Sequence, residues 1–147
     1  MYRKFLERNT SGYVDPTANE AISNVMRENK YGLNIRRGEI WYIKDDGRSV
    51  GTEQQNERPA IVVSNNGANK FSNTIEVVFL TTKAKASLPT HTTVTALIKS
   101  TALCEQITSV SIERLGGYIR TCTSTEMSKV DKCLLISLGL EKKGGRE

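Results

Sequence analysis

Two apolar runs inside the stretch ERPAIVVSNNGANKFSNTIEVVFLTT (57–82) decide the expected fold. PAIVV (59–63) and IEVVFLTT (75–82) are rich in β-branched residues and have the length of strands. Pro59 suits the first position of a strand, but a charged Arg58 beside a buried run is costly unless another group meets its charge. The stretch therefore predicts two neighbouring strands with an arginine at the start of the first.

Further strand candidates surround this stretch. They are rich in β-branched and aromatic residues and lie at 39–44 (EIWYIK), near 92–98, near 101–112 and at 118–123 (YIRTCT). Two long polar loops, 45–57 and 83–91, separate some of them, and long loops often carry function. Short strands with long loops and few helices predict a small, strongly bent antiparallel sheet or barrel.

Two helices are predicted, one towards each end of the chain. Asp15 and Pro16 suit an N-cap and a first helical position, so an amphipathic helix is expected over residues 15–31. Thr123 and Glu126 form the pattern of a capping box before a second helix. Apolar residues at helical spacing support both helices: Ala18, Ile22, Val25 and Met26 in the first, and Met127, Val130, Leu134 and Leu138 in the second.

The composition indicates one soluble globular domain. The 147 residues are 37% apolar and 25% charged, and no apolar run is long enough to span a bilayer. No secretory signal is apparent at the start. Cys104, Cys122 and Cys133 are too widely spaced for a CxxC site, which predicts buried free thiols and a cytoplasmic protein. A net charge of +5 permits a polyanionic partner such as nucleic acid.

Several classes of enzyme fit this sequence poorly. His91 is the single histidine, so a two-histidine ribonuclease mechanism is excluded. No HExxH motif or carboxylate cluster has metal-ligand spacing, and neither GxSxG nor a phosphate-binding GxxxxGK[ST] loop is present. Any catalysis must therefore use arginine, threonine, glutamate or His91.

Four segments in order resemble the MazF/PemK family of toxin endoribonucleases. They are RRGEIWY (36–42), VGTEQQNERPAIVVSNN (50–66), VVFLTTKAKASLPTH (77–91) and CEQITSVS (104–111). The resemblance runs from about Ile35 to Leu140. It implies a mainly β fold, a small SH3-like barrel of the MazF/CcdB type with a C-terminal helix, usually as a homodimer. It separates a toxin domain, 35–147, from an N-terminal helical extension, 1–34, about which it implies nothing.

The resemblance also implies an activity. Members cleave single-stranded RNA at short sequences without a metal or other cofactor, as toxins of type II toxin–antitoxin modules. The family's catalytic arginine and threonine fall on Arg58 and Thr81, with Thr82 as the alternative one position later. Attack by the RNA's own 2′-hydroxyl would leave a 2′,3′-cyclic phosphate and a 5′-hydroxyl. A MazE/PemI-type antitoxin is the implied protein partner, and no membrane association is implied.

Further residues are expected at the RNA. Glu53 and Gln54 match the loop that closes over RNA in relatives, and Glu105 and Gln106 match a motif that helps to read bases. The other expected substrate contacts are Thr82, Lys83, Lys85 and His91, the last of which has a structural role as its alternative. Some members carry an arginine and an aspartate where this chain has Thr108 and Ser111, which shifts the expected chemistry onto Arg58 and Thr81.

Other interpretations remain open from the sequence. A CcdB-like toxin that binds DNA gyrase and cuts nothing would share the fold, as would an inactive RNA-binding relative. Without the resemblance, Arg58 could be paired with Glu53 or Glu57 at a loop edge. Trp41 and Phe71 are expected in the core.

Overall fold

The computed structural model describes residues 29, 31–45, 57–83 and 85–141. Within these ranges it contains six strands, two α-helices and one turn of 3-10 helix. The strands are β1 (Glu39–Ile43), β2 (Arg58–Val62), β3 (Thr74–Thr81), β4 (His91–Thr95), β5 (Lys99–Ser111) and β6 (Leu115–Thr121). The helices are α1 (Asn66–Phe71) and α2 (Ser124–Ser137), and the 3-10 turn spans Ile112–Arg114.

The strands form one antiparallel sheet in the order β4-β5-β3-β2-β1-β6. The register between β3 and β5 shifts at one place: Val78 pairs with Ile107, whereas Leu80 pairs with Ala102. Extra residues on one strand bend it and increase the local twist. The predicted small, bent antiparallel sheet with a C-terminal helix is therefore confirmed.

Buried side chains form two clusters, one on each face of the sheet. Successive side chains along a strand point to opposite faces, so each strand contributes to both clusters. Ile61 and Val78 belong to a cluster on the face that α2 covers, and Val130 and Leu134 of α2 complete it. The second cluster lies on the other face and comprises Ile35, Ile43, Ala60, Val62, Ile75, Val77, Phe79, Val110 and Ile112. Burying each aliphatic side chain of this size contributes roughly 1.5–3 kcal/mol, so the two clusters supply most of the fold's stability.

Helix α2 begins at the predicted capping box. The Thr123 side chain accepts a hydrogen bond from the Glu126 N–H at 3.1 Å, and the Glu126 carboxylate accepts one from the Thr123 N–H at 2.8 Å. Of the four apolar residues expected on one face, Val130 and Leu134 are buried and Met127 packs against them. Leu138 follows the last helical residue and is exposed. The apolar face of α2 is thus one turn shorter than the sequence pattern predicts.

The polar segment between β2 and β3 contains α1, a helix that the sequence pattern did not predict. The Asn65 side chain caps it by accepting the Ala68 N–H at 2.8 Å. Asn69 is fully buried, where its amide donates to the Ser64 carbonyl at 3.0 Å and its oxygen accepts from the Ser64 hydroxyl at 2.5 Å. Short-range polar contacts hold this turn, so apolar periodicity gives no sign of it.

Strand boundaries differ from the predicted ones by a few residues. Residues 96–98 form a turn with exposed Leu97 and Ile98, although their composition is that of a strand. Strand β6 begins three residues earlier than expected, at Leu115, and so includes Gly116. A Cβ on Gly116 would lie 2.7 Å from Oε1 of Glu57, the far end of a flexible side chain, so a larger residue here would require the Glu57 carboxylate to move.

The cysteines and the two aromatic residues lie near their expected places. All three cysteines are free and buried, as predicted. Burial, followed by the neighbouring Cys133, raises the pKa of Cys104 to about 12. Trp41 and Phe71 are half-buried, at the edge of the core rather than inside it.

The chain before the sheet is tied to α1. The Asn29 N–H donates to the Lys70 carbonyl at 2.9 Å, and the Asn29 side-chain oxygen accepts from the Leu33 N–H at 2.9 Å. The helix predicted over 15–31 lies almost entirely outside the described residues, and the domain boundary after residue 34 stays a prediction. No described helix is long and apolar enough to cross a membrane.

Candidate active site

Arg58 is the first residue of β2 and its side chain is exposed. Its guanidinium carbon lies 4.4 Å from the centre of the Phe79 ring. Among the described residues, no carboxylate forms an ion pair with Arg58. Glu57 is adjacent in sequence, but its carboxylate lies against Gly116 of β6. The structure therefore does not show Glu57 neutralising Arg58, and Glu53 lies outside the described residues.

Thr81 ends β3 at the same edge of the molecule. Ala60 pairs with Phe79 and Ile61 with Val78, and Ala60 and Phe79 are the last paired residues at this end. The same antiparallel register, continued two residues further on each strand, would place Arg58 opposite Thr81. Directly opposite residues carry their side chains on one face, whereas Thr82 lies beyond the end of β3. The Thr81 hydroxyl accepts the Lys83 N–H at 3.2 Å, which leaves its own hydrogen to donate. The register thus favours Thr81 over Thr82 as the partner of Arg58.

The row of polar side chains continues across the sheet. Thr81 pairs with Thr101 of β5, and Thr101 pairs with Thr93 of β4. Opposite positions share a face, so the three threonines extend from Arg58 towards the β4 edge. We had not singled out Thr101 or Thr93 from the sequence, because their alignment depends on the irregular register between β3 and β5.

His91 and Glu105, both expected at the RNA, contact each other. His91 Nε2 lies 3.0 Å from Glu105 Oε2, and Nδ1 lies 2.8 Å from the Ala86 carbonyl. Both ring nitrogens therefore face oxygen acceptors, and a neutral imidazole can donate to only one of them. The His91 side chain is only 8% exposed, which supports the structural role that we had kept as its alternative. The contact fastens the segment before β4 to β5.

The environment of Glu105 favours its carboxylate form. Desolvation by partial burial acts against the charge, but the hydrogen bond from His91 outweighs it with help from Thr90, and the pKa of Glu105 is lowered. The Thr90 hydroxyl donates to Glu105 Oε1 at 3.3 Å. Glu105 and its neighbour Gln106 are exposed and lie where the register between β3 and β5 shifts. The bend turns both side chains of the predicted base-reading pair to the surface.

The remaining predicted contacts divide into two groups. Lys83 and Lys85 are exposed on the segment after β3, directly following Thr81 and Thr82. Glu53 and Gln54 fall outside the described residues. Among the described residues, no group of three or more histidine, cysteine, aspartate or glutamate side chains could hold a metal ion.

A family model described as the PemK-like, MazF-like toxin of type II toxin–antitoxin systems matches residues 36–138. The chain belongs to this family. Endoribonuclease EndoA of Bacillus subtilis (strain 168) is 38% identical over 112 residues, which cover 72% of this chain and 96% of that protein. The family predicted from the four sequence segments is thus confirmed.

Solved structures support the MazF fold independently. A mycobacterial endoribonuclease in complex with its cognate antitoxin superposes with a TM-score of 0.63 at 23% identity, covering 74% of this chain and 99% of its own. MazF from Deinococcus radiodurans gives a TM-score of 0.60 at 20% identity, covering 73% and 98% respectively. At these identities the likeness shows that the backbone architecture is shared.

Phe79 is the site feature of this MazF-type chain that sequence reasoning missed. It lies in an apolar run and reads as an ordinary core residue. Its contact with Arg58 requires knowing that β2 and β3 pair, and in which register. The alternation of β3 supplied a signal in principle, since Phe79 and Thr81 are two residues apart and share a face.

Proposed function

We propose that this MazF-type toxin is a sequence-specific endoribonuclease that cleaves single-stranded RNA without a metal ion. The observation that supports the proposal best is the placement of Arg58 opposite Thr81, with the guanidinium bound by no described carboxylate. A guanidinium fork presents paired donors that match two phosphate oxygens. The B. subtilis relative at 38% identity is an endoribonuclease, which supports the same reaction for this chain.

In the proposed reaction, the RNA supplies its own nucleophile. The 2′-hydroxyl oxygen attacks the adjacent phosphorus, the bond from phosphorus to the 5′-oxygen breaks, and the proton lost by the 2′-hydroxyl is balanced by one gained at the leaving oxygen. The products are a 2′,3′-cyclic phosphate and a 5′-hydroxyl. Negative charge grows on the phosphoryl oxygens in the five-coordinate transition state, where fixed donors act most strongly.

Arg58 and Thr81 divide this work. Arg58 stabilises the charge on the phosphoryl oxygens and can donate towards the leaving oxygen, but it is a poor base because guanidinium stays protonated. Thr81 donates its hydroxyl hydrogen, which the bond that it accepts from the Lys83 N–H leaves available. The group that accepts the 2′-hydroxyl proton lies outside this pair.

The exposed polar residues around the pair bind the RNA. Lys83 and Lys85 attract phosphates on either side of the scissile bond. Glu105 and Gln106 present hydrogen-bonding edges to unstacked bases, with His91 holding Glu105 in place. Thr82, Glu53 and Gln54 complete the predicted substrate contacts.

A protein partner follows from the same surface. A MazE/PemI-type antitoxin with an acidic segment would cover a basic RNA groove and block it by charge complementarity. One solved relative is an endoribonuclease bound to its cognate antitoxin, which supports this pairing. The active form is a homodimer, and three free cysteines agree with a cytoplasmic setting.

The test is cleavage of a long single-stranded RNA by the purified protein in EDTA. We expect cuts at one short recurring sequence, with 5′-hydroxyl ends, that disappear in Arg58→Ala. RNA carrying a 2′-deoxy nucleotide at the mapped site should resist cleavage while still binding. Absence of cuts from a folded, antitoxin-free protein would contradict the proposal, and so would cuts that persist in the folded Arg58→Ala variant.

A further inference from the structure

The side chain of Arg58 lies above the aromatic ring of Phe79. Phe79 is 9% exposed and belongs to the second core cluster together with Ala60, Val62 and Val77. The Arg58 guanidinium carbon lies 4.4 Å from the centre of this ring. The ring face is the negative part of its quadrupole, so a cation in this position is attracted to it.

The strand register explains how the two side chains meet. Phe79 pairs directly with Ala60, and Arg58 precedes Ala60 by two residues on the same strand and the same face. Arg58 is therefore a diagonal neighbour of Phe79, at a separation that a long side chain can span. Ala60 is the smallest chiral side chain and leaves room over the ring. Thr81 follows Phe79 by two residues, so the ring lies between the buried core and the Arg58–Thr81 pair.

This mode of support differs in kind from an ion pair. A carboxylate would hold Arg58 by occupying N–H donors and by cancelling its charge. The ring attracts the cation through its face while the guanidinium N–H groups remain available for phosphate oxygens. The guanidinium is held and desolvated on one side, and it keeps its positive charge and its donors for a ligand on the other.

We propose that Phe79 is a positioning residue for Arg58. The inference rests on the proposed RNA cleavage. Phe79 touches neither the RNA nor the reacting atoms; it limits the orientations of the guanidinium so that its donors face the position of the phosphate before RNA binds. Preorganised donors stabilise the transition state without a reorganisation cost at the moment of reaction, so Phe79 acts on kcat through Arg58.

The first experiment weakens the ring's quadrupole while keeping its shape. Phe79 is replaced by 4-fluoro-, 3,5-difluoro- and 3,4,5-trifluorophenylalanine, and kcat and KM are measured on an RNA with one mapped cleavage site. We expect kcat to fall stepwise, by about fivefold at the trifluoro stage, because exposed contacts of this type contribute on the order of 1 kcal/mol. KM and the melting temperature should stay constant. The same series at Phe71, a half-buried phenylalanine on α1, is the control and should leave kcat unchanged.

The second experiment needs no RNA. In the free protein, the Arg58 side-chain NMR resonances should show the upfield displacement of groups above an aromatic ring. Phe79→Leu should abolish that displacement, while Phe79→Tyr, which keeps the ring, should retain it together with most of kcat. A flat fluorine series in a protein that cleaves RNA, or Arg58 resonances that Phe79→Leu does not move, would overturn the role of Phe79 alone. Failure of the unmodified protein to cleave any RNA would overturn the proposed function as well.

Discussion

Two arginines at strand ends have opposite environments in this molecule. Arg58 starts β2, is exposed, and lies above Phe79 with no ion-pair partner among the described residues. Arg120, near the end of β6, donates from Nη2 to Glu126 Oε1 at 2.8 Å and from Nη1 to Glu126 Oε2 at 3.2 Å. Its Nη1 also donates to the Thr95 carbonyl at 2.7 Å. One guanidinium is bound by protein acceptors, whereas the other forms no ion pair with the residues that the structure describes.

The occupied arginine is part of the structure of α2. Glu126 is also the capping-box residue of that helix, so its carboxylate joins Arg120 of β6 to the first turn of α2. Arg120 in turn donates to Thr95 at the end of β4. The hydrogen bond from Arg120 is the main reason that the pKa of Glu126 falls to about 2, against the opposing effect of burial. The comparison teaches that the same residue type serves stability where protein acceptors surround it, and is suited to ligand binding where an aromatic face is its contact among the described residues.

The largest expected effects come from removing each arginine in turn. Arg58→Ala should lower RNA cleavage by about 10³-fold or more, because a lost transition-state donor costs on the order of 10²–10³ and this donor is charged. Its free energy of unfolding should fall by no more than about 1 kcal/mol, the contribution of an exposed contact between a cation and an aromatic ring. Arg120→Ala should do the reverse, lowering the free energy of unfolding by about 2 kcal/mol, since hydrogen bonds to charged groups contribute roughly 1.5–3 kcal/mol.

Urea unfolding measures the loss of stability in both variants, and single-turnover kinetics measure the loss of RNA cleavage. Cleavage by Arg120→Ala, measured at a temperature where it remains folded, should match the parent. An Arg58→Ala variant that unfolds as readily as Arg120→Ala would erase the contrast and assign Arg58 a structural role.

Thr81 and Thr82, at and just after the end of β3, test the geometry around Arg58. Thr81→Val keeps the shape of a β-branched side chain but removes the hydroxyl opposite Arg58, and should lower kcat by about 10²-fold, the cost of one neutral transition-state donor. Thr82→Val should raise KM by a few-fold and spare kcat, because Thr82 is an expected RNA contact that lies beyond the end of β3. Steady-state kinetics on one defined RNA separate the two parameters. Equal losses of kcat in both variants would contradict the register argument.

Acid should weaken the contact between Arg120 and Glu126 in a defined pH window. The folded pKa of Glu126 is about 2 and lies below its ordinary value of 4.5, so the carboxylate stabilises the fold above pH 4.5 and loses that contribution as pH falls through about 2. Glu126→Gln should therefore be less stable at pH 7 by roughly 1–2 kcal/mol, a figure reduced from the full shift because water screens a pair near the surface. The difference should shrink towards pH 2. Urea unfolding followed by circular dichroism at several pH values measures it, and a difference that stays constant with pH would contradict it.

The smallest expected effect concerns the lysines that follow Thr81, the expected partner of Arg58. Lys83→Ala with Lys85→Ala should raise KM by about threefold to tenfold at low salt and leave kcat unchanged. The slope of log affinity against log salt concentration should become shallower by the equivalent of about two phosphate contacts. Lys70→Ala, on α1 at the opposite end of β3, is the matched control and should change neither. An effect of equal size from Lys70→Ala would mean that net charge, and not the position of the two lysines, attracts RNA.

Much of the fold could be predicted from local patterns. The strand runs at 59–63 and 75–82 became β2 and β3, and the Thr123–Glu126 capping box starts α2 as expected. These features depend on neighbours in sequence: alternation, β-branched content and a cap within four residues. Helix α1 escaped prediction because its stability comes from Asn69 and Ser64 contacts that no periodic pattern reveals.

The members of the candidate site are predictions from the family resemblance, whereas their arrangement comes from the structure. Arg58 and Thr81 were named through the family resemblance, and the register then placed them opposite each other. The His91–Glu105 contact was not foreseen, since it joins residues 14 positions apart across two strands. The support of Arg58 by Phe79 was equally hidden, because an aromatic residue in an apolar run has no sequence mark that separates a core role from a site role.

The sequence by itself therefore determined which segments form strands and the closing helix, which family the chain belongs to, and which residue types are available for chemistry. The strands and the closing helix follow from side-chain shape, periodicity and short-range capping, which act over a few residues, whereas the family follows from the resemblance of four segments. Only the tertiary structure decided that Arg58 faces Thr81, that Phe79 lies beneath it, and that Arg120 is bound by Glu126. The register between β2 and β3 sets the contacts of Arg58, and the position of α2 after β6 sets that of Arg120. Both arrangements result from packing the two clusters of the core at once.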